Sequence, residues 1–344
     1  MDHGRTIQDL FHSRDSDAPL FSFWTHFPDD DLDPERLAEA TISLQRQFGL
    51  DFVKTAPNGM YAVEDYGLQI DFSDVPRGGV ARVVSTPFET VEDWANLPVV
   101  DIFSGALGRE LRSLRHIRAA LPQVPVVFTI FSPMTIAAKL SRGRIHQQIA
   151  DGRESKLIHE ALATIACTVS DYAAAAIEAG ADGVFFAHQD AGRHLLSDND
   201  FRTYVAPYDH KALGGARRGR FNILHLHGEN IRFKDVLDYP VHALNWHSWE
   251  TSPSIAAGML AARGKYIVGG IDRRSITVND ISAIAQQIFA VFDETCGSDR
   301  MIFAPSCTIR AGFRPETLHA IRTLVKEKLP ERFSAPHALI AAAR

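Results

Sequence analysis

Short apolar runs rich in β-branched and aromatic residues recur along the chain, each followed by a longer stretch of helical periodicity. The strand candidates are "LFSFW" (20–24), "LDFVK" (50–54), "VPVVFTIF" (124–131), "GVFFAH" (183–188), "FNILHLH" (221–227), "HALNW" (242–246), "YIVGGI" (266–271) and "MIFAP" (301–305). Several are continuously apolar, as expected of parallel strands buried on both faces. Among the helical stretches, residues 33–49 carry start and stop signals: Asp33 as N-cap, Pro34 at the first helical position and Gly49 just past the end. Residues 154–179 form the longest, Ala-rich candidate, stopped by Gly180. Further helices are expected over 197–213, 252–264, 277–297 and 314–329. Regular β-then-α alternation argues for a parallel sheet with helices outside. Eight such repeats predict an α/β fold, a single (β/α)8 TIM barrel. Residues 68–100 break the rhythm and read as a β-hairpin-like insertion. No linker or low-complexity tract divides residues 1–344, so one barrel domain is expected.

Composition narrows the function classes. The 344 residues are 45% hydrophobic and 23% charged, ordinary values for a globular chain. A net charge of −6 gives no electrostatic footprint for nucleic acid. No uninterrupted apolar run approaches the roughly 20 residues a membrane span needs. The first 20 residues lack the apolar core of a signal peptide. Three cysteines, at 167, 296 and 307, cannot build a disulfide framework, which fits a reducing cytoplasm.

The 15 histidines are more informative. Residues at the C-terminal ends of barrel strands line the mouth where chemistry is placed. His26 follows the first strand, His188 closes the fourth, His225 and His227 close the fifth, and His247 follows the sixth. Cys307 follows the eighth, and Asp190 and Asp272 follow the fourth and seventh. His225 and His227 are two apart, so a strand points both to one side. Neutral imidazole and thiolate suit zinc, and a catalytic zinc site keeps three protein ligands and one open position. His225, His227 and Cys307 are therefore the candidate metal ligands. Cys167, within the Ala-rich helix, and Cys296, at a helix end, read as structural. His146, His159, His210 and His319 fall on helices and are set aside. "GGARRGR" (214–220) reads as a solvated turn on the opposite face, and "VGGID" lacks a dinucleotide fingerprint. Phe23, Trp24, Phe27, Met60, Tyr61, Trp246 and Trp249 lie near the expected entrance and suggest an apolar or aromatic substrate body. Met60, Tyr61, Trp246, Asp190 and Asp272 are the candidate substrate contacts, with packing the simpler role for Phe23 and Trp24.

Several segments resemble the uroporphyrinogen decarboxylase superfamily, which includes that decarboxylase and the zinc methyltransferases serving corrinoid proteins. They are "ETVEDWANLP" (89–98), "FSPMTIAAKL" (131–140), "AGADGVFFAHQDA" followed by "LLSDNDFRTYVAPY", and "YIVGGID" with "CTIRAGFRPETLHAI". Their order and spacing carry the resemblance across most of the chain, and it implies the barrel independently of the strand count. In the methyltransferase branch, zinc is bound through a His-x-Cys pair after strand five and a cysteine after strand eight. The resemblance places His225 and Cys307 on the outer two of those positions, with His227 where the family keeps a cysteine. Two thiolates would leave the zinc site formally neutral, whereas His2Cys leaves one net positive charge. Such a metal is the stronger Lewis acid and holds a substrate thiolate more tightly. The decarboxylases carry an Arg-rich segment for substrate carboxylates near the N-terminus. Here "FSFWTHFPDDD" offers Asp29, Asp30 and Asp31 instead, which disfavours an octacarboxylate tetrapyrrole.

The expectation is a metal-dependent enzyme of the methyltransferase-like branch acting on a small organic substrate. His188 or His247, with His26, would move protons, and Glu229 would be a fourth ligand or orient one. Methyl transfer would need a separate methyl-corrinoid protein as donor, and a homodimer is implied by the resemblance. Two alternatives are a cofactor-free decarboxylase or lyase, and a non-catalytic small-molecule binding barrel.

Overall fold

Strands form where the apolar runs lie, in a computed structural model that describes residues 10–11, 18–75, 81–152 and 155–331. In chain order they are β1 (Leu20–Phe21), β2 (Val53–Lys54), β3 (Gln69–Asp71), β4 (Arg82–Ser85), β5 (Val126–Phe131), β6 (Gly183–His188), β7 (Ile223–Leu226), β8 (Ala243–Trp246), β9 (Tyr266–Ile271) and β10 (Met301–Pro305). Eight of them pair in parallel in the order β1-β10-β9-β8-β7-β6-β5-β2. Between β1 and β2 the barrel is joined by individual bonds rather than a ladder. Asp51 N–H donates to Phe21 O at 3.1 Å, Phe21 N–H to Asp51 Oδ2 at 2.7 Å, and Ser22 Oγ to Phe52 O at 2.8 Å. β3 and β4 make a separate antiparallel pair inside the segment expected to carry a hairpin-like insertion.

The helices follow their capping chemistry. Asp33 accepts the Arg36 N–H at 2.9 Å to start Pro34–Phe48, and Gly49, at φ +60°, ends it by donating to Gln45 O. The stretch 197–213 is two helices, Asp198–Tyr204 and Ala206–Gly214. The break falls at Val205, at φ −119°, and Pro207, in the first turn of the second helix, lacks the N–H a continuous helix would use. The stretch 277–297 holds one helix, Ile281–Glu294, which Asp280 caps through Ala283 N–H at 2.9 Å. A separate short helix, Arg273–Thr277, precedes it and ends before Asn279 at φ +61°.

Ser155–Glu178 is long and apolar enough, by length and composition, to cross a membrane, although the uninterrupted apolar runs are short. Just over half (56%) of its most apolar 18 residues are buried, with Ile158, Leu162, Ile165, Val169, Tyr172 and Ala176 inward at helical spacing. The apolar face is thus a packing face within this fold.

Strand alternation decides which side chains reach the barrel interior. Phe185 of β6 is stacked on His225 of β7 at 5.3 Å, and Trp24 meets Phe185 edge-on at 5.5 Å. Below them Phe52 meets Phe221 at 5.5 Å, and Phe11 meets Phe221 at 5.3 Å, filling the lower interior. Residues of opposite parity face the helices. Trp246, 1% exposed, packs on Phe233 at 4.8 Å and over Gly258, where an added Cβ would come within 2.5 Å of the indole.

Candidate metal centre

The inward parity of β7 and β8 and the chain leaving β10 bring four donors together. His225, His227, His247 and Cys307 each offer a ligand atom, and these atoms all lie within 4.8 Å of one another. Cys307 Sγ is 3.7 Å from His225 Nε2 and 3.7 Å from His227 Nδ1. Tetrahedral zinc, with bonds of about 2.3 Å to sulfur and 2.0–2.1 Å to nitrogen, would place such a sulfur and nitrogen about 3.6 Å apart. The cluster therefore fits the ion's size.

The His225 tautomer follows from its neighbour. Asn245 Nδ2 donates to Val268 O at 2.7 Å and to Pro305 O at 3.3 Å, which turns Asn245 Oδ1 toward His225. That oxygen can only accept, so His225 Nδ1 carries the proton and donates it. His225 Nε2 is left with its lone pair toward Cys307. This is the arrangement that orients a metal-ligating histidine.

Electrostatics keep the imidazoles neutral. Burial, then the two neighbouring histidines, pushes the His225 pKa well below its ordinary value. Burial and the Arg273 and Lys139 cations lower that of His227. Burial, His227 and Arg273 lower that of His247 to about 4. Burial raises that of the Cys307 thiol, against the pull of Arg273. A buried cluster of neutral imidazoles and a thiol suits a cation that displaces the thiol proton. His247 Nε2 is buried without a hydrogen-bond partner, while its Nδ1 lies 3.6 Å from Glu250 Oε1. Glu250 is held in turn by Arg273, whose Nε and Nη2 donate at 3.3 and 3.4 Å.

The other expected site residues divide. Asp190 lies at the mouth, 3.1 Å from His146 Nε2. Burial would raise its pKa, but the hydrogen bond and charge of His146 bring it below the ordinary carboxylate value. His146, set aside as a helix residue, thus belongs at the mouth. His26 is exposed on the rim, and Met60 is half-buried, its N–H donating to Asn58 Oδ1 at 2.8 Å.

Five placements correct the sequence reading. His188 has outward parity: its register partner is Leu226, while its neighbour Ala187 pairs with His225. Its Nε2 faces Asp209 Oδ2 at 3.3 Å, both side chains fully buried, and Tyr239 donates to the same oxygen at 2.8 Å. Trp246 faces the helices for the same reason. Tyr61 is buried, its hydroxyl donating to Thr129 O at 2.7 Å. Asp272 caps the following helix, accepting from Arg274 N–H at 2.9 Å. Glu229 is exposed and stands outside the cluster; the carboxylate beside it is Glu250.

Sequence reasoning missed Asn245, Glu250, Arg273 and Lys54. Asn245 is the register partner of His225, which strand alignment could have found. Lys54 is a charged residue closing an apolar strand, itself a signal. It is 7% exposed, and burial lowers its pKa to about 7.

Comparison with known proteins agrees with this architecture. The family described as uroporphyrinogen decarboxylase (URO-D) matches residues 22–328. A uroporphyrinogen decarboxylase from Tolumonas auensis is 29% identical over 193 residues, 54% of this chain and 52% of that protein. The chain thus spans about half the length of that relative in the matched region. A methylcobamide:CoM methyltransferase from Methanosarcina barkeri is 24% identical over 255 residues, 74% of this chain and 71% of that one. The solved structure of a methyltransferase from Methanosarcina mazei superposes with a TM-score of 0.78 at 21% identity, covering 93% of this chain and 97% of its own. That likeness speaks for the fold.

Proposed function

The chain belongs to the uroporphyrinogen decarboxylase family, and within it we propose a zinc-dependent enzyme that transfers a methyl group to or from a small organic substrate. The observation that carries this reading is that Cys307 Sγ stands 3.7 Å from both His225 Nε2 and His227 Nδ1, close to the sulfur–nitrogen separation across tetrahedral zinc. These three would hold the metal. Bound there, zinc would act as a Lewis acid, lowering the pKa of a substrate thiol, phenol or water.

The chain's own residues supply the rest. Asn245 fixes the tautomer and ring plane of His225. His247, the fourth donor of the cluster, is left free of the metal in this reading and would take a proton at Nε2 while Glu250 steadies Nδ1. Arg273 limits the negative charge that Glu250 brings beside Cys307. Asp190 and His146 would line the approach. The methyl donor or acceptor would be a separate corrinoid protein, a proposal supported by the Methanosarcina barkeri relative whose name includes methylcobamide. A cytoplasmic location fits the free thiol chemistry of this reading.

Metal analysis tests it. Purified protein should contain about one zinc per chain. Cys307→Ser should lower that content, while His247→Ala should keep the metal and lose turnover.

A second reading is metal-independent decarboxylation. It is favoured by the relatives named uroporphyrinogen decarboxylase and by Lys54, Lys139 and Arg273 around the interior and mouth. Full turnover after chelation would support it against the first.

A further inference from the structure

The turn "FPDDDLD" (27–33), which follows β1, inverts the usual partition of polar and apolar groups. Asp31 is 3% exposed, whereas its neighbour Leu32 is 49% exposed. A buried carboxylate is normally paired. Among the described residues, no hydrogen bond or ion pair reaches the Asp31 side chain. Its electrostatic counterpart is Arg109, which is already committed. Arg109 Nη1 and Nη2 donate to Glu64 at 3.0 and 2.8 Å, and Nε to Glu110 at 3.0 Å. Asp31, Glu64 and Glu110 thus share a single guanidinium. Asp29 and Asp30 add negative charge from the turn itself, with Asp30 paired to Arg36 at 2.6 Å.

Charge balances when Glu64 is ionised and the other two acids hold protons. Burial, only partly offset by Arg109, raises the Asp31 pKa from 3.8 to about 7 and that of Glu110 from 4.5 to about 7. Tyr61 and Tyr172, which face Glu110, are pushed well above their ordinary values by burial and stay protonated. The two acids differ in their route to water. Glu110 is fixed within the helix Gly105–Ala120. Asp31 sits on a short connection between two anchors. Before it, Thr25 Oγ1 donates to Ile309 O at 2.9 Å; after it, Asp33 caps Pro34–Phe48. Among the described residues, the backbone hydrogen bonds of 27–32 stay within the turn, with Asp30 and Asp31 N–H both donating to Phe27 O at 2.9 Å. His26, at the base of the connection, faces Lys54 and the backbone of Ala56 and Pro57 rather than this cluster. The connection follows a barrel strand, so it lies on the face where the donor cluster opens.

We propose that residues 27–32 form a pH-gated flap on the barrel mouth, seated by a protonated Asp31 and released when that proton passes to water. Seated, the carboxyl keeps its proton; swung into solvent, it ionises at about 3.9 like an ordinary aspartate. Opening therefore releases a proton. The open fraction grows by up to about tenfold per pH unit as pH rises from about 4 toward 7, then levels off above the seated value. The flap is independent of the zinc reading, since none of its groups is a proposed ligand.

Amide hydrogen exchange of the full chain, resolved by peptide, tests this at pH 5, 6, 7 and 8. Turning Asp31 outward breaks the turn that protects the Asp30 and Asp31 amides, so exchange there reports opening. Wild type is compared with Asp31→Asn, which keeps the shape and cannot ionise; the ratio of their rates removes the intrinsic pH dependence of exchange. For residues 27–32 that ratio should rise at least about tenfold between pH 5 and 7 and change little from 7 to 8. The helix Gly105–Ala120 should show no such rise. Asp31→Ala, a second side chain without a proton to lose, should give the same pH profile as Asp31→Asn. A ratio that stays flat from pH 5 to 7 overturns the proposal. So does an equal rise in Gly105–Ala120, which would assign the effect to unfolding of the whole domain. A ratio still climbing tenfold between pH 7 and 8 also overturns it, because a group other than Asp31 would then control the flap.

Discussion

Cys307 Sγ and His225 Nε2 face each other at 3.7 Å, although the residues are 82 positions apart in the chain. The contact exists because β7 and the chain leaving β10 direct these groups into one barrel mouth, and because Asn245 fixes which His225 nitrogen carries the proton.

Asn245 is therefore expected to control metal affinity without touching the metal. Replacing Asn245 by Ala frees the His225 tautomer and ring plane, and should weaken zinc binding by about 10- to 100-fold. Competition with a chromophoric chelator measures this directly. Unchanged affinity would show that the ring is held by other contacts.

His188 is expected to behave as a structural residue. Replacement by Ala leaves Asp209 with Tyr239 but without its imidazole neighbour, and should cost on the order of 2 kcal/mol of stability. Zinc content should be retained. Urea unfolding together with metal analysis tests both halves, and loss of metal at unchanged stability would return His188 to the site.

Trp246 makes the same distinction on the neighbouring strand. Trp246→Ala empties the space beside Phe233 and Gly258, at a cost of about 3–5 kcal/mol. Its effect on ligand affinity should be small compared with that loss, as measured by parallel denaturation and binding titrations.

The strands and the Asp33 and Gly49 helix signals were legible in the sequence because each depends on local spacing, and the meeting of His225, His227 and Cys307 was legible because each closes or follows a barrel strand. His188 and Trp246 were misplaced because a strand end says that a residue is near the mouth, whereas parity says whether it enters it. Parity needs a reference, and His225 supplies one: its register partners Ala187 and Asn245 point inward, which turns His188 and Trp246 outward. Lys54, Glu250 and Arg273 were not found because their roles arise from contacts between different strands and loops. Asp272 offered the same letter as a catalytic acid, but its oxygen serves a helix end.

A buried acidic group away from the cluster gives a pH prediction. Arg109 donates to both Glu64 oxygens, at 3.0 and 2.8 Å, and to Glu110 at 3.0 Å, with Asp31 buried nearby. Burial, only partly offset by Arg109, raises the Glu110 pKa from 4.5 to about 7. The folded chain thus holds a proton that the unfolded chain releases at lower pH. Stability from this group is full below about pH 4.5 and is lost as pH rises toward 7. Glu110→Gln should remove this decline and gain on the order of 2 kcal/mol relative to wild type between pH 5 and 8. Unfolding free energies across that range provide the check, and parallel curves for the two proteins would contradict it.

The most direct test of the account is elemental analysis of the purified wild type beside Cys307→Ser and His225→Ala. The account predicts about one zinc per chain in the wild type and a clear loss in each variant that remains folded. A wild type without stoichiometric metal, or variants that keep it in full, would contradict the assignment of this His–Cys cluster as a metal centre.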